Sequence, residues 1–140
     1  MGAMAFGLFP DSIARPSRVP DMSSSSSTIR IAIIGVGAVS DYHHVPGIAI
    51  DPRAELVAIC DANESLLQQR QQAWGVPKAT TDYQSLCTDD NIDAVIIATP
   101  NFTHREIALA AAAGGKHIMC EKPLGLSAAE VSSMRDAACR

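Results

Sequence analysis

Short apolar runs alternate along the chain with longer segments of mixed polarity. The runs are rich in isoleucine and valine and are continuous, which is typical of strands buried on both faces of a parallel sheet. The longer segments start at capping residues and end at glycine or proline, which indicates helices. The predicted strands are residues 28–34, 55–60, 79–81, 94–98 and 117–120, and the predicted helices are residues 38–50, 64–74, 82–87, 103–113 and 127–139.

Three local signals refine these helices. Pro46 lies inside the first helix and predicts a bend or an early end there, because proline lacks an amide hydrogen and clashes with the preceding turn. Either Asn63 or Asp61 is expected to cap the second helix. Ser127 and Glu130 have the spacing of a capping box at the start of the last helix.

The alternation of strands and helices predicts an α/β fold, a Rossmann-like doubly wound parallel sheet. Five strands are predicted over residues 28–140, whereas the full order has six, so we expect an incomplete domain, truncated before the sixth strand. The fifth strand would then have an open edge that favours self-association, so a homo-oligomer is one expected form. Residues 1–27 end in five serines and are expected to be a disordered tail.

Composition excludes some classes of partner. The chain has 140 residues, of which 47% are hydrophobic and 19% charged, and these values are typical of a globular protein. A formal net charge of −4 argues against nucleic acid or an anionic membrane as the main partner. No apolar run approaches the roughly 18 residues of a membrane span, and no secretory signal is evident, so we expect a cytoplasmic protein.

The cysteines and histidines do not indicate a metal site. The four cysteines form no Cys-x-x-Cys pair and no Cys/His cluster, so neither a disulfide framework nor a zinc site is expected. Cys60 and Cys120 end strand-like runs and are interpreted as buried thiols. The neighbours His43 and His44 point about 100° apart on a helix and lack an evident third ligand, so no metal is predicted.

A glycine-rich turn follows the first strand. The pattern Gly35-x-Gly37-x-x-Ser40 opens a helix, as dinucleotide-binding turns do, and makes Ala38 and Val39 candidate cofactor contacts as well. Gly35 allows the tight turn, and Gly37 lets the backbone approach a pyrophosphate at the positive end of the helix. Ser40 departs from the usual glycine or alanine. A purely structural turn is the alternative.

An acidic residue, Asp61, ends the second strand, where the acid that binds the adenosine ribose is expected. A carboxylate accepts hydrogen bonds from both ribose hydroxyls and repels a 2′-phosphate. The next residues, Ala62 and Asn63, offer no arginine for that phosphate, so NAD is expected and NADP is disfavoured. The alternative is that Asp61 only caps the following helix.

Three parts of the chain together carry a family resemblance. They are residues 35–37 with 43–46 (GVG and HHVP), 98–104 (ATPNFTH) and 121–123 (EKP). In this order they resemble the N-terminal half of the glucose–fructose oxidoreductase/inositol dehydrogenase (Gfo/Idh/MocA) family, over about residues 29–140. In this family an α+β substrate domain follows, with an open sheet and an Asp–His pair that completes proton transfer, and nothing of it is present here.

The resemblance implies roles for the residues after the fourth strand. Thr99, Pro100 and Asn101 would line the cofactor cleft, since ligands bind at the carboxyl ends of parallel strands. His104 would lie near the ribose and pyrophosphate of the cofactor. A solvent-facing histidine at the start of a helix is the alternative for His104.

The resemblance also implies roles for the EKP segment. Glu121 would hydrogen-bond the nicotinamide ribose, and Lys122 would face the nicotinamide and the substrate hydroxyl as the catalytic residue. A cation there would stabilise the developing alkoxide and could relay the proton that the substrate hydroxyl loses. Pro123 would set the direction of Lys122, with a cis bond between the two as one option. An ordinary surface lysine is the alternative.

The sequence therefore predicts the nucleotide-binding part of an NAD(P)-dependent oxidoreductase. The full-length parent would act on a carbohydrate-like small molecule, namely a sugar, a polyol or a related hydroxy compound. The chain alone is expected to be inactive. A non-catalytic NAD-binding module and an NAD-dependent glycosidase of the same family are the alternatives.

Overall fold

Five parallel strands form the centre of the molecule. The computed structural model describes residues 28–139, so the predicted tail, residues 1–27, lies outside the described residues. The strands are β1 Ile29–Ile34, β2 Ala54–Cys60, β3 Lys78–Thr80, β4 Ala94–Ile97 and β5 His117–Cys120. They form one sheet in the order β3-β2-β1-β4-β5. This order confirms the predicted Rossmann-like α/β fold, in which the chain crosses over between β3 and β4.

Helices cover both faces of the sheet. They are α1 Val45–Ile50, α2 Glu64–Trp74, α3 Tyr83–Cys87, α4 Asn101–Ala113 and α5 Ala128–Ala138. The sequence placed the start of α4 at Thr103, which is two residues too late. The helix starts directly after Pro100, whose φ is −57°, and the amide of Thr103 already donates to the Pro100 carbonyl at 3.0 Å.

The region around Pro46 is irregular, as its position predicted. A π-helical segment, Ser40–His44, leads directly into α1, and the amide of Val45 donates to the carbonyl of Ser40, five residues back. Pro46 then lies in the first turn of α1, where a helix tolerates the missing amide hydrogen. The irregularity is therefore a wide helical turn that ends just before the proline.

The helix caps partly follow the predictions. Asn63, and not Asp61, caps α2, because its side-chain oxygen accepts from the amide of Leu66 at 3.1 Å. The hydroxyl of Ser127 accepts from the amide of Glu130 at 3.2 Å, as in a capping box. The Glu130 carboxylate accepts from the amide of Leu126 at 2.8 Å, one residue before the cap. The box at α5 is therefore only half formed.

Two apolar layers pack against the sheet, one on each face. Alternate residues of β1 point into opposite layers: Ile34 packs with buried residues of α3, α4 and α5, and Ile33 packs with Ile48 and Leu67. All of these side chains are less than a tenth exposed. The continuous isoleucine run of β1 is thus explained by burial on both faces.

The side chains of the edge strand β5 are less buried than those of β1, β2 and β4. It pairs with β4 alone among the described residues, and its Met119 is 50% exposed. Cys60 is buried as predicted, whereas Cys120 is only partly buried because it lies on this edge. Desolvation raises the pKa of the Cys60 thiol to about 12 and that of Cys120 to about 11. Both thiols are therefore protonated and unreactive at neutral pH.

The amino ends of β1 and β4 are joined by one ion pair. Asp93 accepts from the backbone amide of Arg30 at 2.7 Å and from its guanidinium at 3.0 and 2.8 Å. These bonds lower the pKa of Asp93 to about 2. Because the pKa in the folded state lies below its value of about 3.9 in unfolded chains, the pair stabilises the fold above about pH 4 and loses this effect as the pH falls towards 2.

Replacing this carboxylate is therefore expected to have a pH-dependent effect. Asp93→Asn should lower the free energy of unfolding at pH 7 by about 0.5–1 kcal/mol, a modest value because both partners are more than a third exposed. Urea unfolding at pH 7 and near pH 2.5 measures the effect, and the difference should shrink at the lower pH. Asp90→Asn is the control and should change little. An Asp93→Asn difference that is equal at both pH values would contradict the prediction.

Candidate functional site

A cleft of about 720 Å³ opens at the carboxyl ends of β1, β2 and β4. This is the switch point of the sheet, where helices leave β1 and β4 on opposite faces and where parallel sheets bind ligands. Its walls are the glycine turn after β1, the turn after β2, and the start of α4. Five of the candidate residues line it: Gly35, Gly37, Asp61, Thr99 and Pro100.

The two glycines of the turn are required for different reasons. Gly35 has φ +99°, and a β-carbon there would lie 2.5 Å from the backbone oxygen of Ala98. No other residue fits this position, because both the conformation and the space exclude a side chain. A β-carbon on Gly37 would meet no protein atom within 4 Å. The fold itself therefore does not require glycine at residue 37, and the bare backbone there faces the cleft.

The serine at the third position of the turn fits the structure well. Ser40 is fully buried, and its hydroxyl donates to the carbonyl of Gly35 at 2.6 Å. The departure from glycine or alanine thus adds a hydrogen bond that holds the turn against the helix. Ala38 and Val39 begin this helix but do not line the cleft.

The acidic residue after β2 is bound to the glycine turn. One carboxylate oxygen of Asp61 accepts from the backbone amide of Val36 at 2.9 Å, and the other accepts from the amide of Asn63 at 2.8 Å. Each oxygen accepts about two hydrogen bonds, so capacity remains for a ligand in the cleft. Asp61 therefore joins two walls of the cleft, a role that the cap hypothesis did not include.

The start of α4 forms the third wall. The hydroxyl of Thr103 lies 2.7 Å from the hydroxyl of Thr99 and 2.7 Å from the carbonyl of Pro100. These contacts fix the turn between β4 and α4. Thr99, Pro100 and Thr103 line the cleft, whereas Asn101, the first residue of α4, does not.

A buried histidine of α4 connects this wall with the EKP segment. His104 is 1% exposed, so the solvent-facing alternative is wrong. Its Nε2 lies 2.8 Å from the carbonyl oxygen of Thr99, and its Nδ1 lies 3.1 Å from that of Pro123. Both contacts are to backbone carbonyl oxygens, so the ring links the turn after β4 with the loop after β5. The ring contacts protein carbonyls and does not line the cleft.

The EKP segment follows β5 at the same edge of the sheet. The amide of Glu121 donates to the carbonyl of Ile97 at 2.9 Å, which continues the pairing of β5 with β4. Lys122 is exposed, and the bond between Lys122 and Pro123 is cis. None of the three residues lines the cleft between Gly35 and Asp61.

Sequence reasoning missed three residues near the site. His44 belongs to the HHVP segment but was given no role other than that of a metal ligand, which was rejected. It is buried with its Nε2 atom 3.0 Å from a carboxylate oxygen of Glu121. Tyr83 donates a hydrogen bond to Glu106, and both side chains line the cleft. This bond raises the pKa of Tyr83. The spacing of Ser40 and His44, four residues apart on one helix face, was the signal that could have indicated burial of His44.

The described residues contain neither a metal-binding cluster nor a membrane-spanning helix. His43, the neighbour of His44, is exposed, and residues 28–139 hold no group of three side chains suited to a metal ion. No helix in the described part of the chain has both the length and the apolarity that crossing a membrane requires.

Comparison with known proteins identifies the family. A sequence model described as an oxidoreductase family with an NAD-binding Rossmann fold, Gfo/Idh/MocA, matches residues 29–140. The chain belongs to the Gfo/Idh/MocA oxidoreductase family. The family resemblance of the three motifs and the nucleotide-binding fold are thereby confirmed.

Two of the similar curated proteins are named as inositol dehydrogenases. The myo-inositol 2-dehydrogenase of Thermotoga maritima is 40% identical over 106 residues, which are 76% of this chain and 31% of that protein. The scyllo-inositol 2-dehydrogenase (NAD(+)) of Bacillus subtilis is 37% identical over 102 residues, which are 73% of this chain and 30% of that protein. The chain thus spans about a third of the length of these relatives.

Solved structures of this family have the same fold. A probable dehydrogenase from Thermotoga maritima superimposes with a TM-score of 0.76 at 36% identity, over 79% of this chain and 33% of that one. The apo scyllo-inositol dehydrogenase from Lactobacillus casei gives a TM-score of 0.74 at 28% identity, over 81% of this chain and 34% of that one.

Proposed function

We propose that this chain binds NAD in the cleft at the carboxyl ends of β1, β2 and β4, as the cofactor-binding part of an oxidoreductase. The observation that carries the proposal is the Asp61 carboxylate at the cleft wall, bound to the glycine turn through the amide of Val36. The turn presents bare backbone at Gly37 on the same cleft. An acid for ribose hydroxyls and a turn for phosphates thus face one space.

The residues present fit such a cofactor. The open space at Gly37 suits a pyrophosphate, since no protein atom occupies it. Ala38 and Val39 supply the first amides of the following helix. Thr99 and Pro100 would hold the middle of the cofactor from the opposite wall, whereas Asn101, which does not line the cleft, would only start the helix behind them. His104 would not contact the cofactor directly but would hold the carbonyl group of Thr99, and so the turn after β4, in place.

Asp61 also supports a preference for NAD over NADP. Both of its oxygens accept hydrogen bonds from backbone amides, which hold the carboxylate in one orientation at the cleft wall. A fixed negative charge attracts ribose hydroxyls and repels a 2′-phosphate. No arginine occurs in the turn after β2 to offset this repulsion.

Lys122 is the proposed catalytic residue. When bound, NAD supplies a hydride acceptor for the oxidation of an alcohol. The exposed ammonium of Lys122 would donate a hydrogen bond to the substrate oxygen and stabilise the developing alkoxide, while the proton of the hydroxyl group passes to a solvent water. Glu121 holds the nicotinamide ribose, and Pro123 sets the direction of the lysine.

The substrate proposed for the whole protein is a hydroxyl group of a sugar or a polyol. Relatives named myo-inositol 2-dehydrogenase, levoglucosan dehydrogenase and D-glucoside 3-dehydrogenase support this class. We place the protein in the cytoplasm, because all four of its cysteines are free and free thiols persist in reducing compartments. Within residues 28–139 the outer edge of β5 has no pairing strand, which supports a homo-oligomer. The net charge of −4 argues against nucleic acid as a partner.

Calorimetric titration of the chain with NADH tests the proposal. We expect saturable heat with a dissociation constant of roughly 0.1–1 mM, which corresponds to a binding free energy of about −4 to −5.5 kcal/mol. AMP, which contains the ribose that Asp61 would bind, should also bind, but more weakly. GMP has the same ribose and phosphate as AMP and a different base, so it is the matched control for recognition of the adenine base. No heat from NADH at several millimolar would overturn the proposal.

A further inference from the structure

A buried histidine lies beside the carboxylate of the EKP segment. The Nε2 atom of His44 is 3.0 Å from Oε1 of Glu121, and the two side chains are 7% and 24% exposed. The direction of the His44 ring does not meet the angle of a good hydrogen bond, so Nε2 has no aligned partner in the described part of the chain. Burying a polar imidazole nitrogen costs free energy of folding unless a nearby group interacts with it.

The π-helical segment Ser40–His44 places the side chain of His44 beside the loop after β5. Ser40 and His44, the first and last residues of the segment, are both buried. Ser40 binds the carbonyl of Gly35, while His44 reaches Glu121. One helical segment therefore contacts both the glycine turn and the EKP segment, whereas His43, the residue before His44, is exposed.

The carboxylate of Glu121 is approached on both oxygens. Oε2 accepts from the backbone amide of Lys122 at 3.2 Å, and Oε1 faces His44. These two neighbours already restrict the orientation of the carboxylate. It therefore loses little conformational freedom when it accepts a hydrogen bond from a ligand hydroxyl, which favours binding. The remaining lone pairs are available for a ligand.

We propose that His44 is a positioning residue, which holds the Glu121 carboxylate in place to receive the nicotinamide-side ribose of the cofactor. The inference rests on the proposed function. It adds a residue from the helix after the glycine turn to the nicotinamide end of the site. The adenosine end is served separately by Asp61, so the two ends are testable with different ligands.

The test uses three ligands and titration calorimetry. NADH and ADP-ribose contain the ribose that Glu121 would hold, whereas AMP contains only the adenosine end. His44→Leu fills the buried space without a polar atom, and His44→Gln retains a donor of similar reach. His43→Ala is the matched control at the exposed neighbour.

The expected result is selective. His44→Leu lowers the affinity for NADH and ADP-ribose by roughly five- to tenfold, because the Glu121 carboxylate loses the neighbour that holds it in place, and leaves the affinity for AMP within twofold. His44→Gln retains most of the affinity for NADH and ADP-ribose, and His43→Ala leaves the affinity for all three ligands unchanged. In a Glu121→Ala background, His44→Leu has no further effect, because its partner is already gone.

Other outcomes overturn the inference and are distinguishable from failure of the proposed function. Equal losses for AMP and NADH mean that His44 only supports the fold. A full additional loss in the Glu121→Ala background means that His44 does not act through Glu121. If the unmodified chain binds neither AMP nor NADH, the proposed function itself fails, and the inference fails with it. Should His44→Leu not fold, His44→Asn decides, because its shorter amide does not reach Glu121 and should show the same selective loss.

Discussion

Replacing Gly35 with alanine is expected to remove much of the stability of the chain, whereas the same replacement at Gly37 leaves it folded and impairs NADH binding. At Gly35 the positive φ and a contact of 2.5 Å with the Ala98 oxygen both act against a methyl group. Backbone at such a contact must shift, so a loss of about 4 kcal/mol or more is expected. Small domains have only about 5–15 kcal/mol in total.

The matched change at Gly37 separates folding from binding. A methyl group there meets no protein atom, so the free energy of unfolding should change by less than about 0.5 kcal/mol. Gly37 lines the cleft, so a methyl group there takes up space beside the proposed pyrophosphate, and NADH affinity should fall by roughly tenfold or more. Urea unfolding and calorimetric titration of both variants measure these effects. Unchanged NADH binding by Gly37→Ala would show that the turn is purely structural.

Removing the Asp61 carboxylate is expected to change cofactor preference. Asp61→Ala should lower NADH affinity by roughly 10- to 100-fold, because hydrogen bonds to a charged group are worth about 1.5–3 kcal/mol each. NADPH binding should fall less, since the repulsion of its 2′-phosphate disappears at the same time. Parallel titrations with the two cofactors give the ratio.

The structural role of Asp61 makes a second variant necessary. Asp61 also accepts from the amide of Val36, so Asp61→Ala loosens the glycine turn. Asp61→Asn removes the charge and keeps one acceptor oxygen, and should show the same change in preference with a smaller loss of stability. Glu64→Gln, an exposed acid at the start of α2, is the control. Equal losses of NADH and NADPH in both Asp61 variants would refute the assigned role.

The sheet and most helices were predictable because burial leaves a strong pattern. The continuous apolar runs of β1 and β4 follow directly from helices on both faces. The π-helical segment before Pro46 was not predictable in form, because proline indicates only that a regular turn ends. The early start of α4 at Asn101 was missed because the residue before the helix is a proline, which is not a usual cap.

The candidate site was predictable only where topology alone brings residues together. Gly35, Asp61 and Thr99 follow different parallel strands, so their convergence at one edge follows from the fold. The neighbours of His44 and His104 follow from packing between segments far apart in the chain, which no local pattern records. The motif indicated that Glu121 mattered but not which side chain lies beside it.

The wide turn at Ser40–His44 has a consequence for comparing sequences. A bond from Val45 to Ser40 encloses one residue more than an α-helical turn does. Losing one residue from this segment would restore a regular helix and rotate the preceding side chains by about 100° relative to those that follow. Alignments should therefore allow a single-residue gap between Gly37 and Pro46. Homologous proteins that have this gap are expected to present a different side chain to the carboxylate after β5.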